Sequence, residues 1–252
     1  MKIAIVTGAS SGMGRESAIQ LADRFGGNLD EIWLLARRRE RLEEVAKHLP
    51  CPSRLFVADL AKEGAFVSLE QALEEKKPQV KWLVNAAGFG RIGEAQSLKI
   101  EDSLGMVNVN DRALVELTQL VLPYLANNSR ILQFASAAAF LPQPHFAVYA
   151  ASKAFVLSYS RALNAELSKR AIVCTAVCPG PVKTEFFDLA EQSGDIAFYK
   201  KLVMAHPRRV VSVAIRDSIV GKSVSVYGLT MKAFWLFSKL LPQACLIGLC
   251  EA

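Results

Sequence analysis

The chain is 252 residues long, 52% hydrophobic and 21% charged, with 15 glycines and 10 prolines, which suits one large compact α/β domain and excludes a disordered or fibrous protein. The net charge of +6 is modest and partly concentrated in Arg37, Arg38, Arg39 and Arg41; so local a patch matches one bound anion, and the sequence lacks the long basic stripe with interleaved aromatics that nucleic acid would require. Cys51, Cys174, Cys178, Cys245 and Cys250 are odd in number, form no CxxC pair and have no histidine at ligand spacing, so neither a disulfide framework nor a metal site is expected, and reduced thiols in a cytoplasmic protein are.

Met1-Lys2 runs straight into Ile3 to Val6, too short an apolar stretch for a signal peptide and readable as a first strand. Further strands are predicted over Ile32 to Ala36, Leu55 to Ala58, Trp82 to Asn85, Ile131 to Ala135, Ile172 to Cys178 and Val224 to Tyr227. Helices are predicted over Met13 to Phe25, Arg38 to His48, Ile100 to Ala126 and Tyr149 to Arg170. Short apolar strands alternating with longer helical segments call for a parallel sheet covered on both faces, and thus for a three-layer, doubly wound Rossmann fold. No repeat, low-complexity tract or linker divides it, so a single domain is expected. Its ligand belongs beyond the carboxyl ends of the strands.

Directly after the first strand comes Thr7-Gly8-Ala9-Ser10-Ser11-Gly12-Met13-Gly14-Arg15. Gly8, Gly12 and Gly14 at a strand-to-helix turn permit a tight bend and close approach of backbone to a pyrophosphate, and Ser10, Ser11 and Met13 line the exposed helix N-terminus that attracts it. Selection of an unphosphorylated adenine ribose calls for an acidic residue about twenty positions on. Ala36 stands there, twenty-two residues past Gly14, followed by Arg37. With no carboxylate to repel a 2′-phosphate and a guanidinium to bind it, the cofactor reads as NADP(H) through Arg37, with Arg38 and Arg39 left to the solvated start of a helix. Asp59-Leu60 after the third strand can meet the adenine, and Asn85-Ala86-Ala87-Gly88 after the fourth offers small residues against which a flat cofactor can lie; each is also ordinary turn chemistry.

Tyr149 and Lys153 are four positions apart and fall on one helix face. The ammonium is expected to lower the phenol's pKa from about 10 and make it a proton donor near neutral pH. At this point the sequence resembles the short-chain dehydrogenase/reductase family in its TGxxxGxG and YxxxK form, continuously over residues 1 to about 190. The resemblance implies a catalytic set of Asn110, thirteen residues before Pro123; Ser136, thirteen residues before Tyr149; Tyr149; and Lys153. It further implies that Tyr149 supplies the proton and Ser136 a hydrogen bond, that Lys153 holds the nicotinamide ribose, and that Asn110 positions a water linking Lys153 to solvent. Cys178-Pro179-Gly180-Pro181-Val182-Lys183-Thr184 resembles the family's turn against the nicotinamide, with Pro179 and Gly180 in the turn, Val182 as a backbone contact and Thr184 as a hydroxyl contact. A dimer or tetramer through the helices of Ile100 to Ala126 and Tyr149 to Arg170 is the family expectation.

Residues 185 to 207 are expected to form a substrate lid. Phe186, Phe187, Leu189, Phe198, Tyr199 and Met204 there, with Phe140, Leu141, His145 and Phe146 before Tyr149, favour a small apolar carbonyl or alcohol substrate, such as a ketone, steroid-like or 3-oxoacyl compound. His145 and His206 read as turn or surface residues. From Gly228 the tail offers about thirteen helical residues before Pro242, about 20 Å, too short to cross a bilayer; it can flank the pocket, pack on a subunit or touch a membrane surface. The reading is a carbonyl reductase, reversible as an alcohol dehydrogenase. Two alternatives remain open at the sequence level: a catalytically idle nucleotide-binding scaffold or sensor, and a membrane-peripheral lipid-handling protein.

Overall fold

The structure, a computed structural model, describes residues 1–186, 204–240 and 242. Strands β1 (Lys2–Thr7), β2 (Glu31–Ala36), β3 (Ser53–Val57), β4 (Gln79–Asn85), β5 (Leu125–Phe134), β6 (Val173–Val177) and β7 (Val224–Ser225) pair in parallel in the order β3-β2-β1-β4-β5-β6-β7. The expected doubly wound sheet is present. Chain order reverses between β1 and β4, so a crevice opens at their carboxyl ends.

The strands are apolar because both faces are covered. Ala4, Val6, Ile32, Leu34, Val84 and Leu132 pack on one side with Leu21 of α1 (Gly12–Phe25) and Leu42 of α2 (Arg39–Lys47). Ile3, Ile5, Trp33, Leu35, Leu83 and Ile131 face the other way, against Leu73 of α3 (Val67–Lys76), Leu117 of α5 (Ala113–Val121) and Leu163 of α6 (Ala147–Glu166). Strand period two thus feeds alternate residues into two cores.

The single helix expected from Ile100 to Ala126 is three pieces. Helix α4 (Ile100–Val107) passes through a π-turn over Asn108–Arg112 into α5, and a 3-10 turn with Pro123 at its start ends the run before β5 begins at Leu125. Apolar periodicity continues through all three, which hides the breaks. Two further helices complete the described residues. In α7 (Pro207–Ile219), His206 caps the N-terminus by accepting from the Arg208 N–H, Pro207 takes the first position, and Val210, Val211, Ala214 and Ile215 are buried. In α8 (Leu229–Leu240), Met231, Phe234 and Trp235 pack against Phe140 and its neighbours in the turn Ala137–Phe140. The tail therefore folds onto its own chain up to Leu240. The expected lid residues Phe187, Leu189, Phe198 and Tyr199, and Cys245 and Cys250, lie outside the described residues. Cys51, Cys174 and Cys178 are free.

Candidate active site

The loop from β1 into α1 is built around close backbone contact. Gly8 has φ +65°, and a Cβ on Gly14 would lie 2.3 Å from the Gly8 carbonyl oxygen, so the turn closes only with hydrogen at that position. Thr7 secures the neighbouring strand end, its Oγ1 accepting from the Ala86 and Ala87 N–H groups at 3.1 and 3.2 Å. Ser11 precedes α1 in extended conformation without a side-chain cap hydrogen bond, and no acidic residue occupies the first turn. The leading N–H groups of α1 are thus left for an anion. On the far side of the crevice, Thr184 meets this loop, since a Cβ on Gly12 would lie 3.4 Å from its Cγ2.

Ser136, Tyr149, Lys153 and Asn110 converge at the carboxyl edge of β4, β5 and β6. Ser136 starts the turn Ala137–Phe140, its Oγ accepting from the Ala138 N–H at 3.1 Å, and its side chain stands near enough to the Tyr149 phenol to pull the phenol's pKa down. Lys153 is buried, with Nζ donating to the Phe134 carbonyl at 2.9 Å and standing 5.7 Å from the Tyr149 ring centroid. Asn110 sits inside the π-turn and is fully buried; its Nδ2 donates to the Phe89 carbonyl and to Ser152 Oγ, both at 3.0 Å, and its Oδ1 accepts from the Phe89 N–H at 3.1 Å. A Cβ on Gly88 would lie 2.9 Å from Asn110 Oδ1 and 3.2 Å from Lys153 Nζ. The floor of the crevice is therefore polar and tight, while Phe146, stacked on Tyr149 at 4.2 Å, and Phe186, tilted against it at 5.3 Å, make an apolar wall.

The electrostatics differ from the sequence expectation. Burial pushes the Tyr149 phenol up to about 12, against a smaller lowering by the Ser136 side chain. Burial also pulls the Lys153 pKa down to about 8, opposed by Asp111 and Cys178, which leaves the ammonium charged at neutral pH. The phenol is firmly protonated at neutral pH.

Residues 2–193 match the short chain dehydrogenase family model. The chain belongs to that family. It is 37% identical over 201 residues to sulfoacetaldehyde reductase 2 of Chromohalobacter salexigens, covering 77% of this chain and 78% of that protein. It is 30% identical over 259 residues to the very-long-chain 3-oxoacyl-CoA reductase of Anas platyrhynchos, covering 98% of this chain and 78% of that one. A short-chain dehydrogenase of Sphingobium yanoikuyae, solved in complex with NADPH, shares 26% identity at a TM-score of 0.82 over 98% of this chain and 95% of that chain. Solved structures of this fold include complexes with NADPH and with NAD. As a short-chain dehydrogenase the chain is an oxidoreductase that uses a nicotinamide dinucleotide, and the fold alone does not choose the phosphorylated form.

Several residues singled out in the sequence meet the dehydrogenase crevice differently from expectation. Arg37 is exposed and makes no ion pair or hydrogen bond among the described residues, whereas Arg38 reaches Ser10 Oγ at 3.4 Å and Arg41 lies alongside. The chain leaves β2 at Ala36 and only at Arg38, the residue before α2, does it turn a guanidinium back over the glycine loop. Asn85 directs its Nδ2 to Thr118 Oγ1 within the sheet–helix layer, its buried Oδ1 lacking a partner among the described residues, and Leu60 is buried in the core, where only its backbone can serve the crevice. Asp59 accepts from the Ala61 N–H through Oδ1 and shapes its own turn. Ala86 packs against the first core, and Gly88 abuts Asn110 and Lys153. Val182 is buried and bridges to Ala205, and its carbonyl accepts from Thr184 Oγ1 at 3.3 Å. The Pro179 carbonyl accepts from the Ala137 N–H, and Gly180 lies under Met231 of α8, where a Cβ would come within 2.6 Å of Sδ. Met13 packs on the first core. His145 and His206 are exposed, and His206 caps α7. Phe140 and Leu141 are buried, so among the described aromatics the wall falls to Phe146 and Phe186. Sequence reasoning missed Ser152, which fixes Asn110, and Asp111, a carboxylate beside Lys153.

Proposed function

We propose that this chain is an NADPH-dependent reductase that converts the carbonyl of a small apolar substrate, a ketone, steroid-like or 3-oxoacyl compound, to a secondary alcohol, reversibly. The observation that carries the reading is the pairing of the Ser136 and Tyr149 hydroxyls under an apolar wall, with Lys153 behind the phenol. The residues suit a nicotinamide dinucleotide: uncapped N–H groups at α1, a lysine with donors to spare, and arginines after β2 in place of a ribose-binding carboxylate. Bound NADPH supplies the hydride. Negative charge then develops on the carbonyl oxygen, where Ser136 donates a hydrogen bond and Tyr149 delivers its proton. A phenol that burial keeps protonated suits this direction. Lys153 replenishes charge beneath the phenolate, and Asn110, with both amide hydrogens committed, holds the Phe89 segment against α6. The relatives' names, a 3-oxoacyl-CoA reductase among them, support a carbonyl substrate. An idle scaffold has no use for this hydroxyl pair.

The test is NADPH oxidation with a panel of ketones, steroids and 3-oxoacyl thioesters. Tyr149→Phe is expected to lower kcat at least about 100-fold while the NADPH Kd stays within about twofold. Turnover retained in that variant would remove Tyr149 from its role.

A further inference from the structure

The crevice holds an ion-pair arrangement that joins three distant parts of the chain. Glu185 Oε2 lies 2.9 Å from Arg38 Nη2, and Glu185 Oε1 lies 2.9 Å from Arg41 Nη1. The same Arg38 nitrogen is 3.4 Å from Ser10 Oγ in the glycine loop. One carboxylate is thus gripped through both oxygens by two guanidiniums, beside a hydroxyl, at the end of β2. The partners are 147 and 144 residues apart in sequence, so chain proximity does not account for the contact. Glu185 follows Thr184, the residue that abuts Gly12, and this seats it at the mouth of the nucleotide crevice.

A phosphate monoester asks for the same environment: a planar fork of N–H donors, a second positive charge and a hydroxyl. We infer that Glu185 is an internal counter-anion that competes with the 2′-phosphate of NADP(H) for Arg38 and Arg41, so that this pair, and not Arg37, reads the phosphate and Glu185 sets how tightly it is held. The inference rests on the NADPH reading above. Both ion pairs are solvent-accessible, with side-chain exposures of 38% for Glu185, 44% for Arg38 and 49% for Arg41, and exposed pairs are weak. A ligand group carrying close to two charges and three acceptor oxygens displaces a single carboxylate from such a site. The Glu185 carboxyl is itself raised by partial burial, but the hydrogen bonds and charges of Arg38 and Arg41 together hold it below the usual range, so it is ionised and able to compete at neutral pH.

Calorimetry with 2′,5′-ADP and with 5′-AMP separates the phosphate from the rest of the nucleotide. Glu185→Gln is expected to tighten 2′,5′-ADP about three- to tenfold and leave 5′-AMP unchanged. Arg41→Gln is expected to weaken 2′,5′-ADP, and adding Glu185→Gln to it should give back less than Glu185→Gln gives alone, because one of the two contested guanidiniums is gone. If the wild-type chain prefers 2′,5′-ADP but Glu185→Gln shifts neither probe, or both equally, the counter-anion is overturned and the NADPH reading stands. If the wild-type chain binds 5′-AMP at least as tightly as 2′,5′-ADP, the NADPH reading falls and the inference with it.

Discussion

Asp111 follows Asn110 in the π-turn, and its Oδ1 is buried without a hydrogen-bond partner among the described residues. Burial pushes its carboxyl up to about 6, against the pull of Lys153. Between the ordinary value of 3.8 and about 6, the folded chain keeps a proton that the unfolded chain has released, so stability from this group falls as pH rises through that window and levels off above it. Asp111→Asn is therefore expected to melt higher than wild type at pH 7, with the advantage shrinking toward pH 4; thermal melts at both pH values check this, and a pH-independent difference would discount the buried charge. The same variant removes an anion that holds the Lys153 pKa up from below. The alkaline limb of ketone reduction, expected as Lys153 loses its proton near 8, should move to lower pH. Tyr149 and Lys153 were legible because residues four apart share a helix face, whereas Ser136 and Asn110 were pointed to only by the resemblance to the family. Which of Arg37, Arg38 and Arg41 turns inward was not legible, since the angle at which the chain leaves β2 decides it. Asp111 was not either, because burial comes from packing and not from neighbours in sequence.

The π-turn between α4 and α5 shows what hydrophobic periodicity cannot record. One wider turn leaves the apolar stripe intact on both sides yet rotates Asn110 fully into the protein, where it ties the Phe89 segment to Ser152 of α6. Such turns are frequent at functional sites. Asn110→Ala would leave the Phe89 N–H and carbonyl short of partners and take from Ser152 Oγ the bond it accepts, though that hydroxyl still donates to the Tyr149 carbonyl, a loss of about 2–5 kcal/mol from buried polar groups. In a chain this long that corresponds to a fall in Tm of at least about 5 °C, to be read by calorimetry alongside activity. An unchanged Tm with lost activity would make Asn110 purely catalytic. The strands were more legible than the helices: β1, β2 and β4 carry apolar runs between two layers, whereas α3 offers only Leu69, Ala72 and Leu73 to the core, leaves Val67 exposed and is otherwise polar.

In the whole molecule, Ile100 (71% exposed), Leu104 (57%) and Val107 (42%) form one stripe along α4, and Phe155 (44%) is exposed on α6, which packs beside it. These are the helices through which the sequence reading expects self-association, and an apolar face of this kind is what a second copy would cover. We propose a homo-oligomer: light scattering should return more than one chain mass, and Leu104→Glu should reduce it. A monomeric wild type would refute this. The inner side of α8 is committed to the turn Ala137–Phe140, while Leu229, Leu236, Phe237 and Leu240 face outward; flotation with anionic liposomes tests the membrane-surface contact that the sequence leaves open for that side. No described helix is long and apolar enough to cross a membrane.

The seat of α8 over Gly180 also gives the protein a built-in optical probe. Trp33 and Trp82 are shut inside the two sheet cores, while Trp235 is partly open to solvent with Lys239 Nζ 3.9 Å above its ring. Iodide quenching therefore samples this one indole, one turn along from the methionine that roofs the Pro179-Gly180 turn. Loading that turn with dinucleotide should change the quenchable fraction, and Trp235→Phe should render the protein blind to it.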